Sequence, residues 1–125
     1  MKTTFNTLAE FEQILRDKLN MRDYHIIHED DQPKFMEVET SPHKIRRVKA
    51  KPGNKWGQLE FVFSITENGK QKKIRFQVPR VVFLLETPTC NISGLVIDQI
   101  NNIPSDNRIE NLRAIGSKIF KQRQN

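Results

Sequence analysis

Apolar positions near the start of the chain follow a helical period. They recur three or four residues apart, at Leu8, Phe11, Leu15 and Leu19. Such spacing places them on one face of an amphipathic helix. The preceding residues 7–10 read T-L-A-E, a capping box in which the hydroxyl caps the helix and the glutamate reaches back. We predict a core-packing helix from Leu8 to Leu19 that ends near Asn20.

The next segments change to an extended pattern. Tyr24 to His28 and Phe35 to Val38 are predicted as short strands, with a loop at 29–33 between them. His25 and His28 lack recognised metal-ligand spacing, so we expect ordinary surface or half-buried histidines. Residues 44–50 can form a further strand that ends at the Pro-Gly-Asn turn of residues 52–54.

Strict alternation is clearest between residues 56 and 78. Apolar Leu59, Phe61, Phe63 and Ile65 alternate with polar residues, and Ile74, Phe76 and Val78 do the same after an Asn-Gly pair at 68–69. Alternation on both sides of an Asn-Gly turn predicts an antiparallel hairpin with one apolar face. We expect the other face to carry Lys73 and Arg75, with Lys70 and Lys72 near the turn, so that the four bases form one polar hairpin face.

The last third predicts mixed structure. Pro79 ends the hairpin strand, and 80–86 can form a short helix with Val81, Val82, Leu84 and Leu85 inward. A strand at 94–99, a loop at 100–108, a strand at 109–115 and a helix at 118–123 follow. The fold class is therefore α+β: an N-terminal helix, a small antiparallel sheet with a hairpin, and a C-terminal ββα unit. We expect residues 1–55 to form a helix and a basic arm, and residues 56–125 to form the C-terminal region.

Composition excludes several classes of protein. The chain has 125 residues, of which 36% are hydrophobic, and its eight Phe rule out general disorder. The longest apolar run, 81–85, is too short for a bilayer span. The single cysteine, Cys90, excludes an internal disulfide and a cysteine-based zinc cluster. No signal peptide is recognised, and we expect a cytoplasmic protein.

Charge divides the chain unevenly. Residues 1–40 hold 5 Lys or Arg and 9 Asp or Glu, whereas residues 41–125 hold 16 and 6. The segment 43–55 (HKIRRVKAKPGNK) contains six bases and no acid. A basic majority of this kind indicates a polyanion-binding face, although a protein can also be basic without such a function.

The string VIDQINNIPSDNRIENLRAI at residues 96–115 closely resembles the HNH homing endonucleases. The family pattern is a strand, Asp-His, Ile-Asn, a loop, Asp-Asn-Arg-Ile-Glu-Asn-Leu-Arg and a helix. The resemblance extends over residues 56–123, with QVPRVVFLL in the place of a Val-His-Arg helix entry. It implies a DNA-binding ββα scaffold, of a type found in phages and mobile elements.

The resemblance also assigns roles, and three positions depart from it. Asp98 matches the metal-binding aspartate, Asn111 matches the asparagine that fixes the loop, and Asp106 is a second loop-closing residue. Gln99 stands where a histidine would act as general base, and glutamine has no useful proton affinity near neutral pH. Phe120 stands at the second metal ligand, and Pro79 replaces the helix-entry histidine. Asp98 alone would be a weak metal site, so no catalytic residue and no cofactor are expected, or Mg²⁺ if the chain is active.

Three functions remain open from the sequence. The first is a double-stranded-DNA-binding protein that has lost nuclease activity. The second is an active metal-dependent nickase, in which His43 or Glu110 would have to approach Asp98. The third is a protein-interaction or inhibitor module that uses the acidic segment 29–39. No membrane partner is expected. The candidate phosphate contacts are Lys44, Arg46, Arg47, Lys49, Lys51, Lys55, Lys70, Lys72, Lys73, Arg75, Arg108, Arg113, Lys118, Lys121 and Arg123.

Overall fold

The computed structural model describes residues 4–41 and 43–116. These residues form the predicted α+β architecture, with two α-helices and three antiparallel sheets. The predicted last helix at 118–123 lies outside the described residues. The elements are α1 (Leu8–Leu19), β1 (Met21–Glu29), β2 (Gln32–Thr40), β3 (Lys44–Lys49), β4 (Lys51–Pro52), β5 (Leu59–Glu67), β6 (Lys70–Gln77), α2 (Val78–Glu86), β7 (Leu95–Gln99) and β8 (Leu112–Gly116).

The N-terminal helix forms as the capping box predicts. The Thr7 hydroxyl accepts a hydrogen bond from the Glu10 N–H at 3.1 Å. The Glu10 carboxylate accepts one from the Asn6 N–H at 3.0 Å, one residue before the cap. Asn20 ends the helix in the left-handed region, with φ 53°. Both termini are therefore satisfied by local side chains and turn geometry.

The first sheet has the order β1-β2-β3. The predicted loop at 29–33 is wrong in extent, because the turn contains only Asp30 and Asp31, with φ 52° and 64°. Two residues with positive φ match the twist of the strands that they join. Both strands are consequently longer than predicted, and β2 turns Met36 and Val38 into the core.

The second sheet has the order β4-β5-β6 and contains the predicted hairpin. Asn68 and Gly69 form its turn with φ 53° and 74°. The register places Phe61 opposite Phe76 on the apolar face.

One prediction about this hairpin is wrong. Ile65 pairs with Lys72, and Glu67 pairs with Lys70, in the alternation that contains the buried phenylalanines. Lys70 and Lys72 therefore lie on one face of the hairpin, and Lys73 and Arg75 lie on the other. Because side chains alternate along a strand, neighbouring lysines in a hairpin cannot share one face.

A single aromatic-rich core joins the helices and the sheets. The Phe76 ring lies 5.1 Å from that of Phe11, 6.0 Å from that of Phe5 and 6.2 Å from that of Phe63, centroid to centroid. Met36 and Val38 of the first sheet belong to the same buried cluster. Side chains from both the first 55 residues and the remainder are thus packed together.

The last elements begin at positions slightly different from those predicted. Helix α2 starts at Val78 rather than Arg80, because Pro79 is accommodated in a first helical turn. Val81, Val82 and Leu84 are buried, whereas Leu85 is half-buried. The predicted strand at 109–115 instead begins with a 3₁₀ turn, Ile109–Asn111, before β8. No described helix is long and apolar enough to cross a membrane.

Candidate functional site

The loop between β7 and β8 is closed by a pair of asparagines. The Asn111 side chain accepts a hydrogen bond from the Asn101 N–H at 3.1 Å. Its amide nitrogen donates to the Asn101 side-chain oxygen and to the Asp106 carbonyl, both at 2.9 Å. One buried side chain therefore satisfies backbone groups at the start and in the middle of the loop.

Asp106 forms the second centre of this loop. Nε and Nη2 of Arg108 each donate to its carboxylate at 2.8 Å. Gln32 and Asn101 donate to it at 2.8 and 2.7 Å. Hydrogen bonds from Arg108 and then Gln32 hold the pKa of the Asp106 carboxyl well below its usual range. The loop thus contains an ionised carboxylate whose partners come from three parts of the chain.

Gln32 connects this loop to the first sheet. Its amide nitrogen donates to Asp106, and its oxygen accepts from the Asn107 N–H at 2.9 Å. Gln32 is the first residue of β2, and 75 positions separate it from Asn107. Sequence reasoning missed it, because a lone glutamine beside a turn carries no motif signal.

The Gln99 side chain is buried beneath the loop, with 6% of its surface exposed. Its amide nitrogen donates to the Asn107 side-chain oxygen at 2.9 Å and to the Pro104 carbonyl at 3.3 Å. Within the described part of the chain, the Asn107 amide nitrogen is buried without a partner. The residue that the resemblance places at the general-base position therefore acts as a hydrogen-bond donor to the loop.

The Asp98 carboxylate is paired with an arginine across the hairpin. Asp98 lies opposite Arg113 in the β7–β8 register. Nε and Nη2 of Arg113 donate to the same Asp98 oxygen, at 3.2 and 3.0 Å. The Arg113 guanidinium is thus bonded to the carboxylate that the resemblance assigns to a metal ion.

The described residues do not fit a divalent metal. Residues 4–41 and 43–116 contain no group of three or more His, Cys, Asp or Glu side chains that could hold one. The Asp98 carboxylate is shared with a cation, whereas Mg²⁺ requires several oxygen ligands. The position of Phe120 lies outside the described residues. The two groups that could assist Asp98 lie beside other residues: His43 is 3.9 Å from Glu39, and Glu110 is 3.4 Å from Arg108.

Arg80 holds the start of the chain against this hairpin. Its guanidinium donates to the Phe5 carbonyl at 2.6 Å, the Asn6 side chain at 2.8 Å and the Leu95 carbonyl at 3.4 Å. Sequence reasoning placed Arg80 only as the residue after the missing helix-entry histidine. Its position shows that the N-terminal segment supports β7.

Ion pairs engage many of the candidate phosphate contacts. Arg47 lies 3.7 Å from Glu37, Arg75 lies 3.3 Å from Glu60, and Lys72 lies 3.2 Å from Glu67. Arg108 and Arg113 bond Asp106 and Asp98, as described above. Arg46 donates to the Ser64 carbonyl at 2.7 Å and lies over the Phe63 ring. The basic segment 43–55 contains no acid in its own sequence, but in the sheet it lies beside the acidic side chains of β2.

The remaining candidates have no such partner within the described residues. Those without a side-chain ion pair there are Lys44, Lys49, Lys51, Lys55, Lys70 and Lys73. Lys49, Lys51 and Lys55 are close in sequence and exposed, on β3, on β4 and in the following loop. Lys118, Lys121 and Arg123 lie outside the described residues.

A comparison with protein families covers the same loop. Residues 77–118 match the HNH endonuclease family. The match runs from the residue before α2 through β7, the loop and β8, and it includes Asp98, Gln99 and Asn111. It supports an HNH endonuclease-like region, a nuclease-type DNA-binding scaffold, in this part of the chain. No curated protein and no solved structure matches the chain.

Proposed function

We propose that the protein binds double-stranded DNA on an HNH endonuclease-like scaffold that has lost nuclease activity. The family resemblance also favours a phage or mobile-element origin. The arrangement at Gln99 carries the proposal. A glutamine stands at the general-base position, and its amide donates into the loop, so it cannot accept a proton from water near neutral pH.

The pairing of Asp98 with Arg113 supports the same conclusion. Both Arg113 bonds reach one oxygen of the Asp98 carboxylate, so the guanidinium already competes for this group. A metal ion bound there would have to share the carboxylate with Arg113 or displace it. The remaining role of the scaffold is to present a surface to DNA.

The surface that we propose contains Lys49, Lys51 and Lys55. Their ammonium groups have no acid partner within the described residues, and each can contact a phosphate without first breaking an ion pair. Phosphate contacts of this type supply affinity for DNA of any sequence.

A cleavage assay tests the loss of activity. Supercoiled plasmid is incubated with the full chain and Mg²⁺ or Mn²⁺, and strand nicking is measured. We expect none above background, and the Gln99→His variant should remain inactive because the metal is still poorly held. Metal-dependent nicking by the unmodified chain that Asp98→Ala abolishes would overturn the proposal.

A binding assay tests the DNA surface. Replacing Lys49, Lys51 and Lys55 by Ala should weaken binding to every duplex. It should also flatten the slope of log K against log salt by about 2–3 units, since each phosphate contact contributes roughly −0.9. The matched control replaces Arg16, Lys18 and Arg22, which removes the same charge from α1 and β1. Equal effects of the two triple variants would exclude a localised surface.

The Asp98→Ala variant separates a metal-bridged complex from a metal-free one. If a metal joined Asp98 to a phosphate, removing the carboxylate would lower the affinity for DNA in Mg²⁺. In our proposal the same change releases Arg113, so affinity should stay within a few-fold or rise. Titration of labelled duplex with and without Mg²⁺ measures the difference.

A further inference from the structure

The loop between β4 and β5 presents an exposed tryptophan. Trp56 has 68% of its surface exposed, whereas the five largest buried side chains are all phenylalanines. An indole left in water forfeits more burial free energy than almost any other side chain. A single exposed apolar side chain is common on protein surfaces, so the loop that holds Trp56 and the charges beside it decide its role.

Hydrogen bonds hold this loop in one conformation. The Asn54 side-chain oxygen accepts from the N–H groups of Trp56 and Gln58 at 3.0 and 3.3 Å, and its nitrogen donates to the Gln58 side chain at 2.8 Å. The Gly53 N–H donates to the Gln58 carbonyl at 2.7 Å. A fixed loop places the indole with little loss of conformational entropy on binding.

Close packing attaches the same loop to β5. A Cβ atom at Gly53 would overlap the Glu60 side chain. Glu60 is buried and paired with Arg75, so it cannot easily move aside. The position of Trp56 relative to the second sheet is consequently set by the fold.

The charge around Trp56 selects its partner. The Lys55 ammonium lies 4.7 Å from the indole centroid, and Lys51 is exposed in the same segment. Residues 51–58 contain two lysines and no acid. An aromatic ring beside cations is the combination that binds single-stranded nucleic acids, because bases stack on the ring while phosphates meet the cations.

We infer that Trp56 stacks on a base exposed in single-stranded or locally unpaired DNA. This inference rests on the proposed function. The protein would then prefer DNA with an unpaired segment, such as a gap or a flap, over a fully paired duplex. The lysines would bind both forms, and Trp56 would distinguish between them. No covalent bond is made or broken in this interaction.

The chain contains a single tryptophan, so its fluorescence reports this site alone. The full chain is titrated with end-labelled oligothymidylate and with a fully paired duplex of equal phosphate number. Dye anisotropy measures binding, and tryptophan emission measures stacking. We expect strong quenching by the single strand and weak quenching by the duplex.

Substitution provides the second readout. Trp56→Ala should lower affinity for the single strand by about 10-fold, the size of one base–aromatic stack, and Trp56→Phe should retain most of it. Duplex affinity should change by less than about 2-fold, because unstacked base faces are not available there. Ile45→Ala is the matched control, since Ile45 is 69% exposed on the other sheet.

Each outcome decides between the claims. Binding seen by anisotropy with unchanged tryptophan emission would overturn this inference and leave the proposed function standing. Equal losses for both forms of DNA in Trp56→Ala would also overturn it. Emission that varies with protein concentration but not with DNA would assign the indole to a contact between copies of the chain. Absence of any DNA binding at low salt would overturn both claims.

Discussion

The two sheets of the first 77 residues and the loop of the β7–β8 hairpin are stabilised by different chemistry. The sheets enclose a cluster of phenylalanines around Phe76. The loop of the β7–β8 hairpin is instead held by amide and carboxylate side chains, with Asn111 and Asp106 as its centres. The first arrangement tolerates repacking of similar volume, whereas the second depends on each donor meeting its acceptor.

This difference means that the hairpin loop can keep its shape without any catalytic chemistry. Asp106 bonds Asn111, Arg108 and Gln32, and none of these bonds requires a metal or a base. Gln99 adds a further donor to the same network. The residues that close the loop and the residues that would perform hydrolysis are therefore separable.

The largest expected loss of stability follows from a substitution in the phenylalanine cluster. Phe76→Ala removes a fully buried ring that contacts three others, so it should lower the free energy of unfolding by about 3–5 kcal/mol. Denaturant titration followed by circular dichroism measures this loss. Ile45→Ala, at an exposed position, should change stability by no more than about 0.5 kcal/mol. Similar midpoints for both variants would contradict the assignment of the core.

The next effect should be confined to the loop. Asn111→Ala leaves the Asn101 N–H and the Asp106 carbonyl unpaired, which should cost roughly 2–3 kcal/mol. Amide hydrogen exchange should accelerate across residues 100–111 and stay nearly unchanged in β5 and β6. Asn91→Ala, which removes one exposed local bond, is the control. Uniform acceleration throughout the chain would mean that the two regions are not separable.

The sequence predicts these two regions unequally well. Period-two and helical spacing identify the buried faces of α1, β5 and β6, because burial of apolar side chains follows directly from that alternation. The motif resemblance identifies the hairpin and Asn111. Neither signal identifies Gln32, Arg80 or the pairing of Arg47 with Glu37. Those contacts join residues that are distant in sequence or on adjacent strands, and their partners depend on register.

A smaller loss of stability should test the contact between Gln32 of the first sheet and the β7–β8 loop. Gln32→Ala should cost about 1–2 kcal/mol, since it removes one bond to Asp106 and one from the Asn107 N–H. Combining it with Asp106→Ala should give less than the sum of the single losses, because either variant removes the same bond. Gln71→Ala, on the exposed part of β6, serves as control. Strict additivity in the denaturant midpoints would show that Gln32 acts elsewhere.

The smallest effect concerns pH and the charge of Asp106. Its pKa is lowered in the folded chain, chiefly by Arg108, so its ionised form stabilises the fold. That contribution is fully present above the unfolded value of about 3.9 and is lost as pH falls through the lower folded value. The stability difference between the unmodified chain and Asp106→Asn should therefore be constant near neutral pH and shrink below about pH 4. Urea titrations across this range measure it. A difference that stays the same into acid would show that the Asp106 carboxylate contributes through its shape rather than through its charge.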